Sequence, residues 1–434
     1  MDSKTTYDSN PFSMEEALTE AKRCLNCKNP LCITGCPIEN KIPEFINALS
    51  KGNFGTARSL LADKTNLPAV CGRVCPHEKQ CEGHCILNKA KKPIRIGKLE
   101  QFVADFDADM TLIREKIPPK TNGNVAVIGS GPAGLTVAGD LAMMGFNVTV
   151  YESENEPGGV LLYGIPEFRL PKNVVRRETQ RISELGVTFI TNTIIGKDIT
   201  INQLIEKGFD AIFIGTGTAI AKELNIPNKN LNGIIKSHYF LRMVSLYNSQ
   251  SLERKEVPIS EEDTVIVIGA GNVAMDASRT ALRMGAKKVT VIYRKTLEHI
   301  TAEMLEYESA INDGVKFMWE TSPIEYIGDS NGTLIGLKVN HEDNEIVIPC
   351  NKILVAIGSK PAKTIISSTE GIEVNDNGYL ITKETPYGMT TLNGVFAGGD
   401  VVHEPATVVL AMKEAKKVVK GIKSYIEAKK LLGL

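Results

Sequence analysis

The sequence predicts an α/β fold: two parallel-sheet domains, the second inserted in the first, preceded by a mainly α-helical segment. Three observations predict it. A strand, a glycine-rich turn, a helix and a second strand follow one another from Asn124 to Glu152. The same plan recurs from Thr264 to Arg294. Eight of the nine cysteines fall between Cys24 and Cys85, ahead of both repeats, and the ninth is Cys350. The repeats are diverged and far apart, which marks two related domains rather than a solenoid.

With 434 residues the chain has room for about three domains of roughly 150 residues each. Hydrophobic residues make up 42% and charged residues 23%, an ordinary globular mixture. Lys and Arg total 50 against 51 Asp and Glu, a net charge of -1, which argues against nucleic acid or an anionic membrane as the main partner. The opening MDSKTTYDSNPFSMEE has neither a basic nor an apolar signal region, and no apolar run approaches the roughly 18 residues of a span. A soluble, cytoplasmic protein is expected.

The first segment, residues 1–121, is rich in Cys, Lys and Pro. Ser13 and Glu16 form a capping box that opens a helix running up to Cys24. A second helical stretch near Phe54 to Ala62 separates two cysteine groups. Two prolines, polar residues and a glycine between Ile117 and Gly123 read as a linker, with a domain boundary near residue 120.

From Asn124 the pattern is strand, turn, helix. Gly129, Gly131 and Gly134 of GSGPAG, with Pro132 and Ala133, close a buried strand and open a helix over Pro132 to Met144. The first glycine permits the tight turn, the second lets the backbone approach a pyrophosphate, and the third lets the helix pack on the strand. Glu152 ends the next strand, where an acid accepts hydrogen bonds from a ribose. These features define a Rossmann-like dinucleotide-binding domain.

The second turn is GAGNVA, with Gly269, Gly271, Asn272 and Ala274 after Thr264 to Ile268. Its second strand, Val289 to Tyr293, ends in Arg294 and Lys295 instead of an acid. A guanidinium there favours a 2′-phosphate, so NADPH is expected, with NADH as the alternative. GVFAGGD, containing Gly399 and Asp400, looks like the second signature of FAD-binding proteins, whose acid contacts the ribityl–phosphate portion. Strand-end turns at 214–217, including Gly217, and 356–361 accompany it. The nicotinamide domain is therefore read as inserted in the FAD domain. The expected bounds are 122–250 with 366–434 for FAD and 251–365 for NADP. The chain from Ala406 reads as an amphipathic helix with a Lys-rich tail.

The cysteines run C-x2-C-x4-C-x3-C-P from Cys24 to Pro37, then C-x3-C-P-x4-C-x3-C from Cys71 to Cys85. Thiolates so dense can hold cubane iron–sulfur clusters, usually with four ligands each. Zinc is the rival, in a non-catalytic binding module that keeps flavin for structure. Beside flavin and nicotinamide sites a redox cluster has work to do and zinc has none. Spacing alone allows all eight cysteines as ligands. His77 and His84 read as local polar groups and Cys350 as a buried thiol. No cysteine pair lies near either glycine turn, so disulfide-reductase chemistry has no dithiol to use.

With these motifs and GGVLLYGIPEFRLPK, which includes Gly159, the chain resembles the glutamate synthase small-subunit family over nearly its whole length. That family includes the N-terminal part of dihydropyrimidine dehydrogenase and the large subunit of ferredoxin-dependent transhydrogenase. The resemblance implies FAD, NADPH and two [4Fe-4S] clusters. It assigns Cys24, Cys27, Cys32 and Cys85 to one cluster. Cys36, Cys75 and Cys81 go to the other, with Glu100 as a non-cysteine ligand and Cys71 spare. Ile300, Thr301 and Ala302 stand where many relatives carry Met-Pro-Ala.

The expected function is an electron-input flavoprotein, passing electrons from NADPH through FAD and the clusters to a partner. About 250 residues for a terminal barrel are not available in the chain, so a larger or barrel-type subunit is expected to hold the final substrate site. Glutamate synthesis from 2-oxoglutarate and glutamine is the first choice. A pyrimidine reductase partner is second, and bifurcation with ferredoxin third.

Overall fold

The structure is a computed structural model that describes residues 11–110 and 115–433. It divides into two compact units. One holds the described residues up to Leu162, Arg169–Ala219 and the chain from Lys360 onward; the other holds Tyr163–Phe168 and Ile220–Ser359. The second unit is thus inserted within the sequence of the first.

In the first unit the leading segment is helical. Ser13 and Glu16 close a reciprocal capping box at the start of helix Met14–Lys22. Helix Ile42–Ser50 buries Ile42, Phe45, Ile46 and Leu49, spaced three and four apart so that they share one face. They pack with Leu61, Leu99 and Val103 into a core on which Cys24, Cys32, Cys36 and Cys85 rest. Helix Pro68–Val74 carries Cys71 and lies close on helix Ile96–Met110: a Cβ on Gly72 would stand 2.6 Å from the Gln101 backbone nitrogen.

A seven-stranded sheet completes this unit. Val395–Ala397, Ala211–Ile214, Asn124–Ile128, Asn147–Tyr151 and Thr188–Ile190 run parallel in that order, and Tyr387–Thr390 and Thr382–Glu384 extend one edge antiparallel. Strand order reverses around Asn124–Ile128, whose C-terminal end carries the first glycine turn. That is the crevice where open α/β sheets bind ligands.

The helical segment is packed onto this sheet domain through buried charge. Arg58 and Asp107, each 2% exposed, pair at 3.1 Å, and Arg181 of helix Lys172–Glu184 reaches the same carboxylate at 2.6 Å. Asp105 is shared by Arg73 and Arg177. The Ala69 N–H donates to Glu178 at 3.2 Å. Removing one partner from such a pair costs about 3–5 kcal/mol, because the other charge stays buried.

The inserted unit repeats the plan. Ile234–Lys236, Lys352–Val355, Thr264–Ile268, Lys288–Ile292 and Lys316–Met318 form an all-parallel sheet in that order. Its residues 321–349 add a three-stranded antiparallel sheet, Thr321–Gly328, Leu334–His341 and Asn344–Pro349, which packs Tyr326, Leu337 and Val339 against the parallel sheet. Among the described residues no helix is long and apolar enough to cross a membrane.

Candidate functional site

The first glycine turn is held by contacts that leave no room for side chains. Gly129 has φ +93°, and a Cβ there would stand 2.8 Å from the Gly215 carbonyl oxygen. A Cβ on Gly134 would run into the Gly129 carbonyl oxygen, so the helix sits directly on the turn. Around Gly131 the space is open. It precedes helix Pro132–Met143, which no side chain caps, so the first N–H groups face the crevice. Gly159 and Gly399 both abut this turn: a Cβ on Gly159 would stand 2.8 Å from Gly131 Cα, and one on Gly399 would stand 2.9 Å from Ala133 Cβ. Gly217 lies just beyond Gly215, with open space beside it. Asp400 follows Gly399, and burial holds its carboxyl above the usual range against the opposing Ala406 N–H.

Glu152 is 5% exposed and closes the turn from the neighbouring strand. Its Oε2 accepts from the Ser130 N–H at 2.9 Å and from the Ser130 hydroxyl; its Oε1 accepts from the Ser153 hydroxyl at 3.0 Å and the Glu154 N–H at 2.9 Å. Those four bonds use the capacity of a carboxylate. The Ser130 hydroxyl also accepts from the Gly158 N–H at 2.9 Å. Ser130 therefore ties Glu152, the turn and the following Gly-Gly segment together. Sequence reasoning missed it because it occupies the unrestricted position of the fingerprint.

The second turn is similar in backbone and different in surroundings. Gly269 has φ +125° and backs onto the Ala356 carbonyl, while Gly271 precedes the uncapped helix Asn272–Arg283. Ala274 is fully buried. The Asn272 side-chain oxygen accepts from the Glu303 N–H at 2.9 Å, and the Thr301 and Ala302 N–H groups donate to the Ala270 carbonyl at 3.3 and 3.0 Å. Thr301 thus makes a backbone bond that a proline at this position could not. Arg294 and Lys295 are exposed, and among the described residues neither makes an ion pair.

The cysteines gather into two sets. Cys24, Cys27, Cys32 and Cys85 line one cavity of about 200 Å³. Burial pushes the Cys32 thiol up to about 12, with Cys24 and Cys85 adding to it, and raises Cys24 as well. Cys36, Cys75 and Cys81 gather around Glu100. Burial raises Cys36 to about 11, and burial, Glu82 and Glu100 raise Cys81. A hydrogen bond with Cys71, then burial, raises Cys75. Glu100 is 6% exposed and pushed up to about 8 by burial, although Arg58 opposes this; its carboxylate accepts from the Asn40 amide at 3.4 Å. Crowded, buried acids of this kind ionise readily only against a bound cation, so the donor set fits cationic iron. Among the described residues no three His, Cys, Asp or Glu groups converge as a single-ion site requires.

Cys71 stands beside this second set through its hydrogen bond with Cys75, and its sulfur also lies 3.8 Å from Met412 Sδ and 3.9 Å from the Thr65 hydroxyl. His84 Nδ1 is taken by the Gln80 carbonyl at 2.7 Å, and the His77 ring covers Gly97, with burial lowering it to about 4. Cys350 is 4% exposed, its thiol pushed up to about 12 by burial.

Comparison with known proteins accounts for both parts of the chain. Residues 3–112 match the family described as "Dihydroprymidine dehydrogenase domain II, 4Fe-4S cluster", and residues 123–415 match "Pyridine nucleotide-disulphide oxidoreductase". Within 123–415 the single cysteine is Cys350, so the disulphide in that description has no dithiol here. FprA from Mycobacterium tuberculosis, solved in complex with NADPH, superposes with a TM-score of 0.59 over 73% of this chain and 86% of that one at 18% identity, a likeness of fold. The fold and site thus define an oxidoreductase that uses NADPH, FAD and 4Fe-4S iron–sulfur clusters. The glutamate synthase [NADPH] small chain of Halomonas elongata is 34% identical, covering 96% of this chain and 92% of that one. That of Escherichia coli is 32% identical, covering 96% and 93%. The chain belongs to the glutamate synthase small-chain family.

Proposed function

We propose that the chain is the electron-input subunit of a glutamate synthase, delivering electrons from NADPH to a larger partner subunit that makes glutamate from 2-oxoglutarate and glutamine. The observation that carries this reading is that the four-thiol cavity and the first glycine turn belong to one compact unit, joined by the buried Arg58–Asp107–Arg181 contacts. A rigid mounting of this kind fixes the separation between two electron-carrying sites. When bound, FAD takes two electrons from the nicotinamide and releases them singly, in the form that iron–sulfur clusters carry.

The chain's own residues supply position and charge. Gly129, Gly131 and Gly134, with the N–H groups that open helix Pro132–Met143, would hold the FAD pyrophosphate. Glu152 would take an adenosine ribose hydroxyl in place of the Ser153 hydroxyl it now accepts from. Asp400 would meet the ribityl–phosphate portion, with Gly159, Gly217 and Gly399 clearing space. Gly269, Gly271, Asn272 and Ala274 would receive the NADPH pyrophosphate, and Arg294 and Lys295 the 2′-phosphate. Cys24, Cys27, Cys32 and Cys85 would hold one cluster; Cys36, Cys75, Cys81 and Glu100 would hold the second. Thiols kept free for metal suit a cytoplasmic location.

The test is anaerobic turnover of the purified, iron-loaded chain with the glutamate synthase large chain of the same cells. NADPH-dependent glutamate formation is expected. NADPH oxidation with an artificial acceptor but no glutamate would reject this partner.

A further inference from the structure

The mouth of the cavity ringed by Cys24, Cys27, Cys32 and Cys85 is apolar and open to solvent. Leu25, Leu31 and Ile86 line it and are 61%, 53% and 38% exposed. Single exposed aliphatics are ordinary, but three around one opening make a patch. The second set is more enclosed, with Cys81 and Glu100 each 6% exposed.

The charge around the mouth is mostly positive. Residues 24–31 and 86–94, which line much of it, contain Lys28, Lys89, Lys91 and Lys92 and no Asp or Glu, and the lining stretch 42–46 adds one acid, Glu44. All four lysines are exposed, and among the described residues none has an ion-pair partner. The arginines just outside are already engaged, Arg23 with Glu20 at 2.6 Å and Arg95 with Glu82 at 3.9 Å. In a chain of net charge -1 this is a local concentration of positive charge.

We infer that this lysine-ringed apolar mouth is the docking surface for the electron-accepting partner chain, which presents an apolar patch within an acidic surround. The inference rests on the proposed electron-input role and says where the electrons leave. Electron transfer falls steeply with distance, so the acceptor must close over an outlying thiol set. The lysines steer an acidic partner and set its orientation; burial of Leu25, Leu31 and Ile86 then dries the contact. A second copy of this chain would bring the same lysines face to face, so charge favours a different chain.

The test uses the iron-loaded holoprotein, the purified glutamate synthase large chain and, as a small acceptor, a neutral quinone. A triple variant, Lys28→Glu, Lys89→Glu and Lys91→Glu, should oxidise NADPH with the quinone at the wild-type rate. Its Kd for the large chain should rise about tenfold or more, with a flattened salt dependence of complex formation. Leu25→Asp, read only by Kd beside a full iron content, should weaken the complex as well. Unchanged Kd and salt dependence in the triple variant would overturn the docking surface. Lost self-association in place of lost partner binding would also overturn it, assigning the face to a second copy. Wild-type protein that reduces neither quinone nor large chain would instead overturn the electron-input role, and the surface with it.

Discussion

The two glycine turns share a backbone plan and differ in what surrounds it. At the first, the strand-end acid Glu152 is buried and saturated by four protein donors. At the second, the strand end carries Arg294 and Lys295, exposed and unpaired among the described residues. The third position differs too: glycine at 134, where a Cβ would strike the Gly129 carbonyl, and alanine at 274, whose methyl is fully buried. The parallel sheet sets where a pyrophosphate can sit. A few side chains beyond the strand end then decide which nucleotide is held, and how tightly helix and turn are packed.

The packing contrast gives the largest expected effect. Gly134→Val has no space to occupy and should cost about 3 kcal/mol in stability and the bound flavin with it. Ala274→Gly should cost only about 1 kcal/mol. Thermal unfolding and flavin absorbance measure both, and a flavin-replete Gly134→Val protein would erase the distinction. Next, Arg294→Glu should lower kcat/KM for NADPH about 30-fold, equivalent to about 2 kcal/mol of charge-assisted bonding, and leave NADH within about twofold. Equal losses with both would mean that Arg294 does not read the 2′-phosphate. Glu152→Gln replaces an acceptor facing Ser130 with a donor and should weaken FAD binding about tenfold, as followed by flavin fluorescence.

The smallest effect is a difference in pH response. Burial raises the Glu178 carboxyl, outweighing Arg58 and Arg181, whereas Asp313, despite its own burial, is held low by Arg283 and Arg279. With its folded value raised, Glu178 favours folding when protonated, so its contribution falls as pH rises from the ordinary carboxylate range through the raised value. Asp313 behaves oppositely: it stabilises above the ordinary range, and that contribution is lost as pH falls through its lowered value. Urea unfolding from about pH 2 to about pH 8 should show Glu178→Gln removing the first slope and Asp313→Asn the second, which lies below about pH 4. Parallel pH profiles for the two variants would show that the contrast is not expressed in stability.

Much of this architecture was legible because its signals are local. An apolar, mostly β-branched run such as Val125–Ile128 followed by a glycine turn and Pro132 needs no distant partner to be read, and the same holds for Val265–Ile268. The three-stranded antiparallel sheet of residues 321–349 was not read, since its strands are specified by pairing with one another and by Tyr326 and Val339 finding the core. Nor was the charged seam between the helical segment and the first sheet. Arg58, Asp107 and Glu178 look like surface residues in a sequence, and tertiary pairing alone makes their burial tolerable. Among the cysteines, spacing left all eight as candidate ligands. Only the packing of helix Pro68–Val74 on helix Ile96–Met110 brings Glu100 among Cys36, Cys75 and Cys81 and leaves Cys71 between Cys75 and Met412.

The central claim is that electrons enter from NADPH through a flavin held at the first glycine turn. The most direct measurement is rapid anaerobic mixing of the iron-loaded, FAD-containing chain with NADPH or NADH, following the flavin absorbance. Fast bleaching by NADPH, saturating at a concentration about tenfold or more below that needed for NADH, is predicted from the Arg294 and Lys295 strand end. A flavin that stays oxidised with both nucleotides, or that NADH reduces at the lower concentration, would contradict it.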